Sequence, residues 1–322
     1  MILVTGANGF VGNVLVKRLV SEGKKVRAFC RSESHVSEFR KLGVDVAYGD
    51  VKDSAAVLEA MKGVSAVVHL ASVHGRISLK EMNKTNVEGV RNVLKAAVAE
   101  GVEHVVHYSS IAVYGEAQGV NEESEKKPYD DYGKSKKAGE DLIKYFTMGH
   151  PELKVSIIRP PHIYGPGGKS NLSNMFRMVS KKRYPVIGSG KGLINAVYIT
   201  DLLDATLLLL NKKECWGKDF IIADDRAYTL KEFSNLVAKA CNVSSPMKVP
   251  YSVAYVSGAG FEILEKVTGK RLPLSRSRVK NVARSRSFLI GKAIRELGYQ
   301  PKVHFEEGAV KAYRWYKENG LL

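Results

Sequence analysis

The twelve residues Met1-Ile-Leu-Val-Thr-Gly-Ala-Asn-Gly-Phe-Val-Gly12 constrain the fold more than any other stretch of the chain. Ile2, Leu3 and Val4 form an unbroken apolar run, the pattern of a strand buried on both faces. Gly6, Gly9 and Gly12 follow, and Val11, Leu15 and Leu19 then recur at helical spacing toward Gly23. A strand, a glycine-rich turn and a helix in that order make a phosphate cradle. The first glycine permits a tight turn, the second lets backbone approach a pyrophosphate, and the third lets helix and strand pack closely. The helix N-terminus adds free N–H groups and partial positive charge. Spaced glycines alone are common in turns; the flanking strand and helix are what point to a dinucleotide.

The same alternation continues downstream. Val26–Cys30 and Val44–Tyr48 read as second and third strands, with a helix over Ser34–Leu42 between them. A helix over Asp53–Met61 leads to a fourth strand, Ala66–Leu70. A long helix, Ser78–Glu100, is stopped by Gly101, and Val102–Tyr108 is the fifth strand. A polar loop then leads to a helix from about Tyr132 to Met148 and a sixth strand, Val155–Arg159. Strands separated by helices imply a parallel sheet with right-handed crossovers, hence a doubly wound α/β domain. Residues 160–168, rich in Pro and Gly, are expected to form no regular element. Leu193–Ile199 and the helix after it read as one more unit returned to the sheet. Residues 1–165, with 193–212, then make the dinucleotide-binding domain. Residues 166–192 and 213–322, including Phe220–Ala223, make a smaller, interleaved C-terminal substrate lobe.

Bulk properties narrow the class. The chain has 322 residues, 44% of them hydrophobic and 26% charged, as in ordinary soluble proteins. Its apolar runs are too short to span a bilayer, and the first strand begins at once, so neither a membrane span nor a secretory leader is expected. Cys30, Cys215 and Cys241 are odd in number and lack CxxC spacing, which points to reduced thiols in a cytoplasmic protein without a metal site. The net charge of +17 is unusual. Lys266, Lys270, Arg271, Arg276, Arg278, Lys280, Arg284, Arg286 and Lys292 crowd one late region. Such charge suits a solvated surface or loose association with an anionic surface. No aromatic-interleaved RNA motif or zinc finger accompanies it, which argues against nucleic acid.

Tyr132-Gly-Lys-Ser-Lys136 sets a phenol and an ammonium four residues apart, one turn apart on one helix face. A nearby cation stabilises phenolate, so Lys136 is expected to lower the Tyr132 pKa and make it a usable acid/base. Ser109 and Ser110 give the pair weight. They end a predicted parallel strand, at the carboxyl edge where open α/β sheets bind ligands, and a hydroxyl there can hydrogen-bond a substrate carbonyl.

Gly6/Gly9/Gly12, Gly49-Asp50-Val51, His69-Leu70-Ala71, Thr85-Asn86-Val87-Glu88-Gly89, Ser109-Ser110-Ile-Ala-Val-Tyr-Gly115, Tyr132/Lys136 and Arg159-Pro-Pro-His-Ile-Tyr-Gly-Pro-Gly167 fall in one order. In that joint order, over essentially its whole length, the chain resembles the extended short-chain dehydrogenases/reductases of the epimerase/dehydratase family. The resemblance implies a Rossmann fold, a homodimer through the helices at Ser78–Glu100 and Tyr132–Met148, and a small-molecule substrate. It makes Tyr132 the general acid/base, Lys136 the residue that holds the nicotinamide ribose, and Ser110 the group that steadies the substrate oxygen. Asp50 and Val51 would contact adenine, and Leu70 and Ala71 would line the nicotinamide side. Gly6, Asn8, Gly9, Phe10, Val11, Gly12, Ser72 and Pro160 would complete the cofactor site. Asn86 either braces the site or is a buried packing amide. His74 and His162 are candidate substrate contacts.

Arg31 follows the second strand, where a ribose-binding carboxylate is expected for NAD, and can pair with a 2′-phosphate. NADP(H) is therefore favoured over NAD(H). The two positions after Ser110 are Ile111 and Ala112, not the Asp-Glu pair of sugar-nucleotide 4,6-dehydratases, and neither can move a proton. The later chain resembles the 3β-hydroxysteroid dehydrogenase and dihydroflavonol 4-reductase branch. That branch implies hydride transfer between nicotinamide and a secondary alcohol or ketone; a nucleotide-sugar 4-epimerase is the alternative. Tyr251, Val253, Tyr255, Val256, Phe261 and Leu264 would then line an apolar pocket.

Overall fold

The computed structural model describes residues 1–268, 275–276, 279–280 and 284–322. Lys270, Arg271 and Arg278 of the basic region lie outside the described residues, as does the side chain of Lys266. The strands are β1 (Ile2–Thr5), β2 (Val26–Cys30), β3 (Asp45–Tyr48), β4 (Ala66–His69), β5 (His104–Tyr108), β6 (Lys154–Arg159) and β7 (His162–Tyr164). Six short ones follow: β8 (Val186–Ile187), β9 (Leu193–Ile194), β10 (Ala196–Tyr198), β11 (Asp219–Ile221), β12 (Tyr228–Thr229) and β13 (Lys248–Val249). The main helices are α1 (Phe10–Ser21), α2 (Val36–Lys41), α3 (Ser54–Met61), α4 (Leu79–Asn83), α5 (Gly89–Ala99), α6 (Asp131–Gly149), α7 (Asn171–Ser180), α8 (Ile199–Asn211), α9 (Leu230–Ala240) and α10 (Tyr251–Thr268). A C-terminal helix spans Phe305–Glu318.

Seven strands form one sheet in the order β11-β6-β5-β4-β1-β2-β3, every neighbouring pair parallel. Helices cover both faces, as the uninterrupted apolar strands require. Val4, Val68 and Val106 share one core with Leu15 and Val16 of α1 and Leu202 and Leu209 of α8. Leu3, Val67 and Val105, the alternate residues of the same strands, pack with Val57 of α3, Leu94 of α5 and Ile143 of α6. The strand order reverses between β1 and β4, and the carboxyl ends of those strands flank the crevice where open α/β sheets take ligands.

Four expectations are corrected. Leu193–Ile199 does not return to the large sheet: β10 pairs with β7 and β9 with β12. The seventh strand is β11, so Phe220 and Ile221, expected in the smaller lobe, extend the sheet beside β6. Residues 160–168 do contain a regular element, because β10 gives His162–Tyr164 a parallel partner despite the flanking prolines and glycines. The helix expected over Ser78–Glu100 is divided by a π turn at Lys84–Glu88 between α4 and α5.

Candidate active site

Gly6 leaves β1 with φ +67°, and a Cβ on it would stand 2.8 Å from the Ala71 backbone nitrogen. A Cβ on Gly12 would run into the Gly6 carbonyl, so α1 can seat against the turn only with glycine there. The Gly9 N–H donates to the Gly6 carbonyl at 3.0 Å and closes the loop. Around it, Gly6, Asn8, Gly9, Arg31, Asp50, Val51, Leu70, Ala71 and Ser72 line one cleft at the carboxyl edge of β1–β4. Phe29, Gly49 and Thr85 line it too and were absent from the predicted set. Their signal was positional: Gly49 and Thr85 sit beside Asp50 and Asn86 in the ordered motifs. Phe10 and Val11 open α1, and Phe10 lies against Gly168. The Pro160 carbonyl accepts the Ile111 N–H at 3.3 Å in the turn after Ser110.

The end of β2 carries an exposed Arg31 guanidinium, 3.8 Å from an Asp50 carboxylate oxygen. Beside it the Asn8 amide donates to the Ser32 hydroxyl at 2.7 Å. A backbone too close for side chains, a helix N-terminus and an edge cation together fit a dinucleotide.

Tyr132 and Lys136 lie on α6, whose start is capped by the Asp130 carboxylate accepting from the Gly133 N–H at 2.7 Å. The Tyr132 phenol is raised above its ordinary pKa by burial, while the neighbouring Ser110 and Ser72 hydroxyls act to lower it. Lys136 is not what lowers it, contrary to the sequence expectation. Its Nζ turns to the Tyr108 carbonyl at 2.6 Å instead. Burial draws this ammonium down to about 8, opposed by Glu140. The exposed His74 ring stands edge-on to Tyr132, with centroids 6.0 Å apart. His162 lies in β7 and is pushed down to about 4 by burial and by the charge of Arg286, so it is neutral at pH 7.

Asn86 resolves as a brace. From the π turn its amide donates to the Val73 carbonyl and the Ser135 hydroxyl, both at 2.9 Å. Its oxygen accepts from the Val73 N–H at 2.9 Å and the Ser72 hydroxyl at 3.1 Å. All four hydrogen-bonding positions of the amide are used, joining the loop after β4 to α6. Behind Lys136, Arg159 grips Glu140 through two bonds of 2.8 and 2.9 Å, and also meets Tyr114 and Asp219. Burial raises the Glu140 carboxyl, but Arg159 and Lys126 more than offset it and hold it below the usual range.

A profile of the NAD dependent epimerase/dehydratase family matches residues 2–223. The chain is 30% identical over 324 residues to a 2-alkyl-3-oxoalkanoate reductase of Stenotrophomonas maltophilia (strain K279a), covering 95% of this chain and 96% of that one. It is 28% identical over 293 residues to the N-acetyl-alpha-D-glucosaminyl-diphospho-ditrans,octacis-undecaprenol 4-epimerase of Escherichia coli O157:H7, covering 89% and 86%. Among solved structures, gox2253 superposes with TM-score 0.83 at 25% identity over 100% of this chain and 99% of that one. MoeE5, in complex with UDP-glucose and NAD, shares the fold with TM-score 0.79 at 24% identity over 99% of both chains. With the parallel sheet, the glycine cradle and this match over more than half its length, the chain belongs to the NAD-dependent epimerase/dehydratase family, the extended short-chain dehydrogenases/reductases.

Proposed function

We propose that this protein is an oxidoreductase that interconverts a secondary alcohol and a ketone on a small molecule, with Tyr132 as general acid/base. The observation that carries the reading is the Tyr132 phenol set beside the Ser110 and Ser72 hydroxyls at the carboxyl edge of the sheet. In reduction, a carbonyl oxygen held by the Ser110 hydroxyl takes the Tyr132 proton as charge develops on it. In oxidation the phenolate accepts the carbinol proton. A nicotinamide dinucleotide bound in the cleft supplies or accepts the hydride. Lys136, anchored on the Tyr108 carbonyl, would hold ribose hydroxyls, and its pKa of about 8 supports proton exchange near neutrality. Arg31 at the end of β2, with no carboxylate in Cys30-Arg31-Ser32, supports NADP(H) over NAD(H). His74 and the neutral His162 are the candidate substrate contacts. Ile111 and Ala112, in the turn after Ser110, support reduction over 4,6-dehydration.

A second reading, nucleotide-sugar 4-epimerisation, is favoured by the relative of that activity at 28% identity. The test is steady consumption of NADPH, or of NADH, with a panel of ketones that includes a 3-oxoalkanoate, and its loss in Tyr132→Phe. Interconversion of a nucleotide sugar without net cofactor turnover would favour the second reading. A Tyr132→Phe variant that keeps wild-type turnover would refute both.

A further inference from the structure

Part of the apolar stripe of α10, expected to line a pocket, faces water. Ala254 packs inward with Ile187 and Val279, and a Cβ on Gly258 would stand 2.9 Å from the Ser275 and Arg276 backbone. At about 100° per residue, Val253, Val256, Gly260 and Leu264 fall on the opposite side of the helix. Val253, Val256 and Leu264 are 53%, 69% and 46% exposed, and Met247, just before β13, is 81% exposed. Single exposed aliphatics need no explanation; four along one edge do.

Cations frame this edge. The Val186 N–H donates to the Met247 carbonyl at 2.8 Å as β8 pairs with β13, so Met247 and Lys248 lie against the strand that Lys181, Lys182 and Arg183 lead into. All four cations are exposed, and among the described residues none of them forms an ion pair. Some cations elsewhere on the surface sit against carboxylates, as Lys62 does with Glu59 and Lys84 with Glu81. Aliphatic side chains projecting from a helix among unpaired lysines and arginines have the chemistry of a peripheral membrane contact. Nucleic acid would satisfy the charge and leave Met247, Val253 and Val256 in water. A second copy of this chain would bring the cationic rims together.

We propose that the edge formed by Lys181–Arg183, Met247–Lys248 and the outer face of α10 docks on an anionic lipid bilayer. Among the described residues no helix is long and apolar enough to cross a membrane, so the contact is interfacial. The inference does not depend on the proposed reaction.

The experiment is flotation of the full-length protein with phosphatidylcholine vesicles, with and without phosphatidylglycerol, at physiological salt. The wild type should float with the anionic vesicles alone. Each surface cation contributes about fivefold to such partitioning, so Lys181→Glu with Lys182→Glu should lower it at least tenfold. Val253→Asp with Val256→Asp should do the same. Both pairs lie outside the proposed active site, so circular dichroism and turnover of a water-soluble ketone should match wild type. No binding to anionic vesicles, equal binding to neutral ones, or unchanged binding in the aspartate pair would overturn the proposal. So would capture of an RNA oligonucleotide, indifferent to the aspartate pair, in place of vesicle binding.

Discussion

Acidification from about pH 7.5 to 5.5 should strip this protein of much of its stability through three histidines sealed in the sheet. His69, His104 and His107 are 1%, 0% and 1% exposed. The His69 Nδ1 pairs with the Thr5 hydroxyl at 2.7 Å and the His104 Nε2 with the Ser156 hydroxyl at 2.9 Å, while neither ring nitrogen of His107 has a partner. Burial pushes His69 and His104 down to about 3 and His107 well below its ordinary value, Lys136 adding repulsion at His69 and His107. In the unfolded chain each titrates near 6.5. The folded pKa is depressed, so the unfolded chain binds protons that the native state refuses. Stability is full above about pH 6.5 and falls as pH drops below it. Each ring contributes a slope approaching ~1.4 kcal/mol per pH unit, and over this interval the three together remove roughly 4 kcal/mol, to which His162, drawn down to about 4, adds a fourth share. Against a total of about 5–15 kcal/mol, that loss is decisive. His304 acts in the opposite sense: its hydrogen bond to Asp224 raises its pKa, a contribution complete below the unfolded value and lost as pH rises. Its side chain is largely exposed, and solvent screening keeps that term small.

The discriminating variant is His104→Phe, which keeps an aromatic ring against Trp216, now stacked at 4.3 Å, and removes one titrating group. Urea unfolding followed by far-ultraviolet circular dichroism at closely spaced pH values gives the slope directly. The variant should lose about a quarter of it, whatever happens to its stability at neutral pH. A wild-type slope smaller than one proton's worth, or an unchanged slope in His104→Phe, would refute the assignment of acid lability to these rings.

Arg31→Ala should weaken NADP binding about tenfold or more and leave NAD binding unchanged; superimposable titration curves before and after would remove the argument from Arg31. Arg159→Met should lower stability by about 3–5 kcal/mol in thermal melts, because Glu140 and Asp219 are left without their shared cation. Adding Glu140→Gln should restore part of that loss, and a double variant no better than the single would contradict the pairing. Tyr145 and Met148, 79% and 76% exposed on α6, fit the proposed homodimer helix face. Tyr145→Asp with Met148→Asp should halve the mass seen by light scattering, and an unchanged mass would place any dimer elsewhere.

The cradle was legible because geometry leaves no alternative to its residues: a side chain at Gly6 or Gly12 strikes backbone. The strands built from unbroken Val, Ile and Leu were legible for a similar reason, since both their faces are buried. The edge of the sheet was not. Leu193–Ile199 and Phe220–Ala223 are both short apolar runs, and only the pairing of β10 with β7 decides which joins β6. Spacing put Lys136 on the same face as Tyr132 but could not reveal that the Tyr108 carbonyl captures its Nζ. The role of Asn86 depends on partners in segments distant in sequence. The period of α10 identified an apolar face without saying which side meets water.

The position of the Tyr132 phenol is therefore determined by residues that do no chemistry. A Cβ on Gly133 would stand 2.5 Å from the Ala112 carbonyl oxygen, and one on Gly139 would stand 2.7 Å from that of Asn86. Between these two backbone contacts runs the turn that carries Lys136, and one residue beyond the second Glu140 is locked to Arg159 at the end of β6. Glycine contacts of this kind leave no flexible side chain to absorb an error. A methyl group at either glycine must move α6 bodily, and a displacement of about 1 Å at a reacting group can cost roughly a hundredfold in rate. The network behind α6 also explains why this helix tolerates a buried lysine. Glu140 opposes the burial of Lys136 while Arg159 keeps Glu140 ionised, so a charge at the sheet edge is transmitted to the ammonium held on the Tyr108 carbonyl. The placement of Tyr132 and the charge on Lys136 thus share one support, the junction of α6, the turn after Ser110 and the carboxyl end of β6.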